Sequence, residues 1–359
     1  MRLTRLDVQR LRRLEPISIS PGPALNWITG DNGAGKTSLL EAIHLLGYGR
    51  SFRGPVRDGL IRTGAESLEV FAEWQEDGER LRRAGLRHTG QDWEGRLDGA
   101  PAPTLGDLCA ALAVVTFEPG SHALVSGGGE PRRRWLDWGL FHVEQDFMLL
   151  WRRYARALKQ RNALLKARPA PDQLDLWERE LAEAGEPLTS RRETYLDRLQ
   201  DRLAAVSADL APSLGLASLH FQPGWRRQEM ALADALLLAR ERDLATGYTS
   251  VGPHRADWRV DHAARPDREA LSRGQAKLTA LACLLAQAED YAALRGEWPI
   301  VALDDLASEL DRAHQQQLLG RLRESGAQVF ITGTELPDGK SKEATVFHVE
   351  HGRVLAPTN

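Results

Sequence analysis

Cysteine is scarce: the 359 residues contain two, Cys109 and Cys283, far apart and without metal-ligand spacing. That excludes a disulfide scaffold and a zinc site, and it points to a reducing compartment with two incidental buried thiols. Long apolar runs are missing as well. The longest, near residues 278 to 288, is too short and too interrupted to span a bilayer. The start, Met1-Arg2-Leu3-Thr4-Arg5-Leu6-Asp7, lacks the apolar stretch of a secretion signal, so a cytoplasmic protein is expected. Nor does one sign of charge dominate. A net charge of -3 gives no global nucleic-acid footprint, and any DNA surface must be a local basic patch. The length suits two domains or one domain with a large insertion.

What the sequence does have is a glycine-rich loop, Gly30-Asp31-Asn32-Gly33-Ala34-Gly35-Lys36-Thr37, that fits the phosphate-loop pattern at every fixed position. Residues 24–29 read as an apolar strand and residues 38–46 as an amphipathic helix, the context the motif needs. Backbone N–H groups and the helix N-terminus would face a phosphate chain. Lys36 would reach the β and γ phosphates of ATP, and the Thr37 hydroxyl would ligate Mg²⁺.

Around this loop the pattern predicts strands over the first twenty residues and an antiparallel meander over 67–97, with a hairpin at Asp77-Gly78. From residue 130 to about 240 the chain turns helical, broken at Arg168-Pro169-Ala170-Pro171 and turning at Gly185-Glu186-Pro187. We read 130–240 as a helical lobe inserted into an α/β domain made of 1–129 and 241–359. Arg152, Arg156, Lys159 and Lys166 fall on one face of a helix in that lobe. They are candidate DNA contacts; a solvated outer face is the plain alternative.

The second half of a nucleotide site lies near the C-terminus. Residues 298–303 form an apolar strand ending in Asp304 and Asp305, the first placed to hold Mg²⁺ and the second to polarise an attacking water as the catalytic carboxylate. Upstream, Leu271-Ser272-Arg273-Gly274-Gln275 opens a helix and makes a second anion-binding terminus. Two such termini and one nucleotide suggest a shared site. Ser272, with Arg273, Gly274 and Gln275, would then contact the γ-phosphate held by Lys36 of a partner copy, and ATP would close a two-fold dimer.

Taken with Ala307-Ser308-Glu309-Leu310-Asp311, these motifs resemble the ABC-type ATPase heads of chromosome-maintenance and repair proteins. The chain is more narrowly similar to the RecF family. Arg132-Arg133-Arg134-Trp135-Leu136-Asp137-Trp138, Val251-Gly252-Pro253-His254-Arg255-Ala256-Asp257 and residues 304–311 carry that likeness. The resemblance implies an α/β ABC-type head, a P-loop NTPase, with the helical lobe standing in for an SMC coiled coil. It implies a slow, DNA-stimulated ATPase that dimerises on duplex DNA near single-strand gaps. Such a protein acts with RecR and RecO to promote RecA loading, gap repair, replication-fork recovery and the SOS response. Ser308 and Asp311 would line the dimer seam.

The departures from the wider ABC pattern also carry information. Asp305 stands where most such enzymes have Glu, so slow turnover or an ATP-gated scaffold with negligible hydrolysis is expected. In place of a switch His, Thr332-Gly333-Thr334 follows the next strand, and either Thr could serve. An ABC transporter subunit would need Leu-Ser-Gly-Gly-Gln, a Glu at 305 and a His near 332, and all three are missing. Arg12 and Arg13 could approach the nucleotide or DNA, or be plain surface. His254 and Arg255 could serve the nucleotide, the seam, DNA or a turn.

Overall fold

The computed structural model describes residues 1–54, 59–76, 80–167, 172–264, 271–336 and 344–355. It forms two compact units, Met1–Ser121 with Ala288–Asn359, and His122–Gln287. These boundaries differ from the expected 129/130 and 240/241. Two strands far apart in sequence, described below, pair within the second unit and keep residues 241–287 with the helical lobe.

The first unit opens with β1 (Arg2–Gln9), β2 (Ile17–Ile19) and β3 (Leu25–Thr29), and after the glycine-rich loop comes α1 (Lys36–Tyr48). The meander appears as β4 (Leu68–Gln75), β5 (Leu81–His88), β6 (Trp93–Leu97) and β7 (Ala100–Pro101). β4 alternates buried and half-buried residues, the period-two pattern of a sheet with one face on the core. The expected hairpin at Asp77-Gly78 lies outside the described residues. α2 (Leu105–Ala111), capped by the Thr104 side chain, and β8 (Val114–Phe117) complete this half.

The second unit contains α3 (Ala123–Ser126), α4 (Gly129–Val143), α5 (Phe147–Ala167), α6 (Asp172–Leu210), β9 (Ala217–Gln222), α7 (Leu232–Thr246), β10 (Asp257–His262) and the start of α8 (Arg273–Arg295). β9 and β10 pair antiparallel. The break at 168–171 lies outside the described residues. The turn expected at Gly185-Glu186-Pro187 is not formed: α6 runs straight through Pro187 for 39 residues. A proline there costs the helix about 3 kcal/mol, and burial of Leu181, Ala184, Leu188, Arg192 and Leu196 along one side outweighs it. Gly185 serves close packing, since a Cβ there would lie 2.4 Å from Leu232. Glu186 accepts the first N–H of α7 at 2.7 Å, a cap supplied from another helix.

Buried charge pins the lobe together. Arg161 of α5 is fully buried and donates to Glu178 of α6 (2.9 Å), Asp243 of α7 (2.7 Å) and the Thr249 hydroxyl (2.9 Å). Two of the three stretches that mark the narrower resemblance, 132–138 and 251–257, bind each other. Arg132 grips Asp257 with two bonds of 2.6 and 2.8 Å, Arg133 donates to the carbonyl of Ala256, and Arg192 joins Asp137 to the carbonyl of Pro253. They hold a short 3-10 turn, Pro253–Arg255. In it, His254 Nε2 faces the carbonyl of Thr249 at 2.9 Å and must donate, so Nδ1 accepts from the Tyr154 hydroxyl at 2.7 Å.

The chain returns through β11 (Ile300–Leu303), α9 (Leu306–Glu309), α10 (Arg312–Ser325), β12 (Val329–Gly333), β13 (Ala344–Glu350) and β14 (Arg353–Leu355). The first unit holds two six-stranded sheets, β2-β1-β4-β5-β6-β7 and β14-β13-β3-β12-β11-β8. In the second, β13, β3, β12, β11 and β8 run parallel. β3, β8, β11 and β12 are buried at every residue, as strands covered on both faces must be. One core cluster joins Leu39, Ile43 and Leu46 of α1 to Leu6 and Val70 of the first sheet and Ile28 and Phe330 of the second. α1 is therefore enclosed on nearly all sides rather than amphipathic. Among the described residues, no helix is long and apolar enough to cross a membrane.

Candidate nucleotide site

The parallel sheet decides where the chemistry collects. Its register aligns Gly333 with Thr29, Leu303 with Ile331 and Leu303 with Phe117, so the residues that follow β3, β12, β11 and β8 emerge along one edge. Ligands of open α/β sheets bind at the carboxyl ends of strands, and here a cavity of about 600 Å³ opens there. Asn32, Gly33, Lys36, Thr37, Asp304 and Asp305 are among its lining residues.

The phosphate loop owes its shape to glycine at two points. Gly30 sits at φ 142°, where a Cβ would meet the Val349 carbonyl oxygen at 2.1 Å, and Gly35 at φ 120°, where it would meet Leu14 at 2.7 Å. Only glycine takes that backbone without strain. α1 then starts with Gly35 at its cap, no side-chain cap and no acid in its first turn, so its positive end is left for an anion. Lys36 donates its Nζ to the carbonyls of Gly30 (2.6 Å) and Asp31 (2.9 Å), folded along the loop.

Thr37 joins the two halves of the site: its hydroxyl donates to Asp304 Oδ1 at 2.9 Å. The same oxygen accepts from Thr332 at 2.7 Å, and Thr332 Oγ1 accepts the backbone N–H of Asp305 at 2.8 Å. Of the two threonines offered, Thr332, near the end of β12, is thus the one facing the acids, while Thr334, just beyond the strand, is exposed. Burial pushes the Asp304 carboxyl above its ordinary pKa, opposed by the bonds from Thr332 and Thr37. Asp305 has left-handed backbone, φ 50°, and its carbonyl accepts the N–H groups of Ser308 and Glu309.

Glu41, Arg53, Glu118 and Phe52 are contributions not read from the sequence, while Arg12 and Arg13 were offered there without a choice of role. Glu41, fully buried on α1, accepts two bonds from Arg12 (3.0 and 2.8 Å) and one from Ser51. Arg12 thereby lines the cavity with its charge already engaged, and Arg13 and Arg53 line it too. Glu118, the residue after β8, is a further lining residue. Its signal was present, an acid directly after a short, mostly apolar strand, much like the pattern that marked Asp304. Phe52 also lines the cavity and packs edge-on to His44 at 5.0 Å.

The remaining candidates lie elsewhere. Ser272 and Gln275 belong to the second unit and form a reciprocal cap, Gln275 N–H to Ser272 Oγ at 3.3 Å and Ser272 N–H to Gln275 Oε1 at 2.9 Å, with Arg273 and Gly274 in the first turn of α8. Ser308 lies in α9, and Asp311 caps α10, accepting the His314 N–H at 3.0 Å. Arg152, Arg156, Lys159 and Lys166 are exposed along α5.

Two histidines whose pKa is pulled far down give the protein a pH signature. Burial pulls His44 down to about 3 and His254 to about 4, with Arg50 and Arg255 adding to the effect. Both are neutral when folded and ordinary when unfolded, so their contribution is complete above pH 6.5 and is lost as pH falls below it. Between pH 7.5 and 5.5 each should cost about 1.4 kcal/mol of stability. Urea unfolding at the two pH values checks this: wild type should lose stability on acidification, and His44→Gln should lose less. Equal losses would contradict the assignment.

A glycine-rich loop feeding a buried helix, an acid at the end of a parallel strand two places along the same sheet and an inserted helical unit define an ABC-type ATPase head. The RecF/RecN/SMC N-terminal domain profile matches residues 2–352, and the chain belongs to that family. It is 66% identical to the DNA replication and repair protein RecF of Stenotrophomonas maltophilia (strain R551-3), over 99% of this chain and 100% of the relative. To the protein of the same name from Shewanella denitrificans it is 37% identical, over 99% of each. Among solved structures, it matches the recombination mediator protein RecF with ATP in the RecFOR pathway, with TM-score 0.90, 25% identity, and coverage of 100% of this chain and 98% of that one. An Smc head bound to the C-terminal winged-helix domain of ScpA shares the fold, with TM-score 0.62 and 16% identity over 99% and 97% of the two chains.

Proposed function

We propose that this chain is an ATP-binding DNA replication and repair protein that closes on duplex DNA as an ATP-dependent dimer and hydrolyses ATP slowly. The observation that carries the reading is the bond from Thr37 to Asp304, which unites phosphate loop and strand-end acid in one cavity, in a chain 66% identical end to end to a RecF protein. The donors there are hydroxyl and carboxylate oxygens, the hard set Mg²⁺ prefers. Thr37 and Asp304 would hold the ion, which supplies positive charge against the β and γ phosphates. Lys36 binds the same phosphates, and Asp305 orients and polarises the attacking water. Ser272 of a second copy reaches the γ-phosphate, with Ser308 and Asp311 on the seam. RecR and RecO are the partners this membership implies, and RecA loading at gaps is the outcome.

DNA would lie along Arg152, Arg156, Lys159 and Lys166. Steady-state ATP turnover with and without duplex tests the whole reading: slow turnover that rises with duplex is expected. Reversing the charge of Arg152, Arg156 and Lys159 should abolish that rise. It should also flatten the salt dependence of duplex binding by about 0.9 log unit per lost phosphate contact. Turnover indifferent to duplex, or an unchanged salt slope, would return α5 to a solvated face.

A further inference from the structure

The C-terminal end of α5 is fastened to the segment leaving α7. Asn162, between Lys159 and Lys166, accepts both the N–H of Thr249 (2.8 Å) and its hydroxyl (2.7 Å). Arg242 holds Ser250 through its hydroxyl at 3.0 Å, and the His254 imidazole, itself tied to Tyr154 of α5, holds the Thr249 carbonyl. The residue fixed in the middle is Tyr248, which is 45% exposed. The Arg255 guanidinium lies over its ring, 5.1 Å from the centroid, and also donates to the Thr249 carbonyl at 3.3 Å. Lys166 adjoins the same spot, its Cγ 3.5 Å from where a Cβ would stand on Gly247.

The chain just after this exposed ring is fixed by Asn162, Arg242 and His254, and Arg255 is the neighbour that touches the ring itself. With the guanidinium over the ring on one side, its exposed part remains available. Paired bases in a duplex are already stacked and offer such a ring nothing, whereas an unpaired base has a whole face to place on it. The ring stands at the end of a row of exposed cations suited to a phosphate backbone.

We propose that Tyr248 and Arg255 form a stacking platform for an unpaired base at the end of the α5 cation row, so that the protein takes DNA where duplex gives way to single strand. This rests on the reading of α5 as the duplex-contacting face. Two probes test it: a blunt duplex, and the same duplex with a single-stranded extension carrying 2-aminopurine at its first unpaired position. The wild type should bind the tailed probe about tenfold tighter and quench its fluorescence by stacking. Tyr248→Ala should remove both the preference and the quench while leaving blunt-duplex affinity unchanged, and Tyr248→Phe should keep all three. Arg255→Gln should weaken the quench. A Tyr248→Ala protein that still prefers and quenches the tailed probe overturns the platform, as does a Tyr248→Phe protein as defective as the alanine variant. If the wild type binds blunt duplex without preferring the tail, the platform alone falls; if it binds neither probe, the reading of α5 falls with it.

Discussion

Lys36→Met is expected to weaken ATP binding about a hundredfold, while lowering the unfolding temperature by only a few degrees. In the structure the ammonium has two loop carbonyls as partners, Gly30 at 2.6 Å and Asp31 at 2.9 Å, and the lysine lines the cavity. A bound triphosphate supplies better acceptors, because hydrogen bonds to charged groups contribute about 1.5–3 kcal/mol each where neutral ones give about 1. Methionine matches the length of the lysine stem, so the packing around this buried side chain is kept and the folded state loses only the two carbonyl bonds. Isothermal titration with ATP, paired with a thermal melt, separates these effects. Equal affinity in the variant would remove the phosphate loop from the site, and a collapsed melt would move the lysine from binding to structure.

The parts of this site that could be read from sequence are those fixed by short spacing. Gly30 to Thr37 is a contiguous pattern, and Asp304 follows an apolar run directly. Thr332 and Thr334 were both offered with nothing local to choose between them, and only the placement of β12 between β3 and β11 brings Thr332 against Asp304. Glu41 looked like the polar side of an amphipathic helix, but α1 is walled in on both sides and the carboxylate is buried against Arg12. The same override explains α6. Gly185 and Pro187 are turn formers locally, yet the helix continues because its neighbours bury that stretch and use Gly185 for close approach. The boundary of the helical lobe was hidden for a related reason, since β9 finds β10 only across α7 and no local pattern reports such pairing.

Asp305→Asn is expected to lower ATP turnover at least a hundredfold, with nucleotide affinity retained and an ATP-bound dimer accumulating. The residue caps α9 at φ 50°, ψ 43°, a conformation that asparagine tolerates at least as well as aspartate, so the backbone bonds to Thr332, Ser308 and Glu309 survive the change. What disappears is the charge that can accept a proton from water, and general-base catalysis is worth about 10² to 10⁴ in rate. The same backbone offers a reason for aspartate in place of the usual glutamate. Left-handed residues favour short side chains that bond locally, and a longer one would add strain. On this view Asp305→Glu should not give a faster enzyme even though it restores the common ABC residue, and its melt should drop. Single-turnover hydrolysis and sedimentation of the three proteins with ATP decide the matter. Wild-type turnover in the asparagine variant would refute the catalytic role, and a faster glutamate variant would show that side-chain reach, rather than backbone strain, sets the rate.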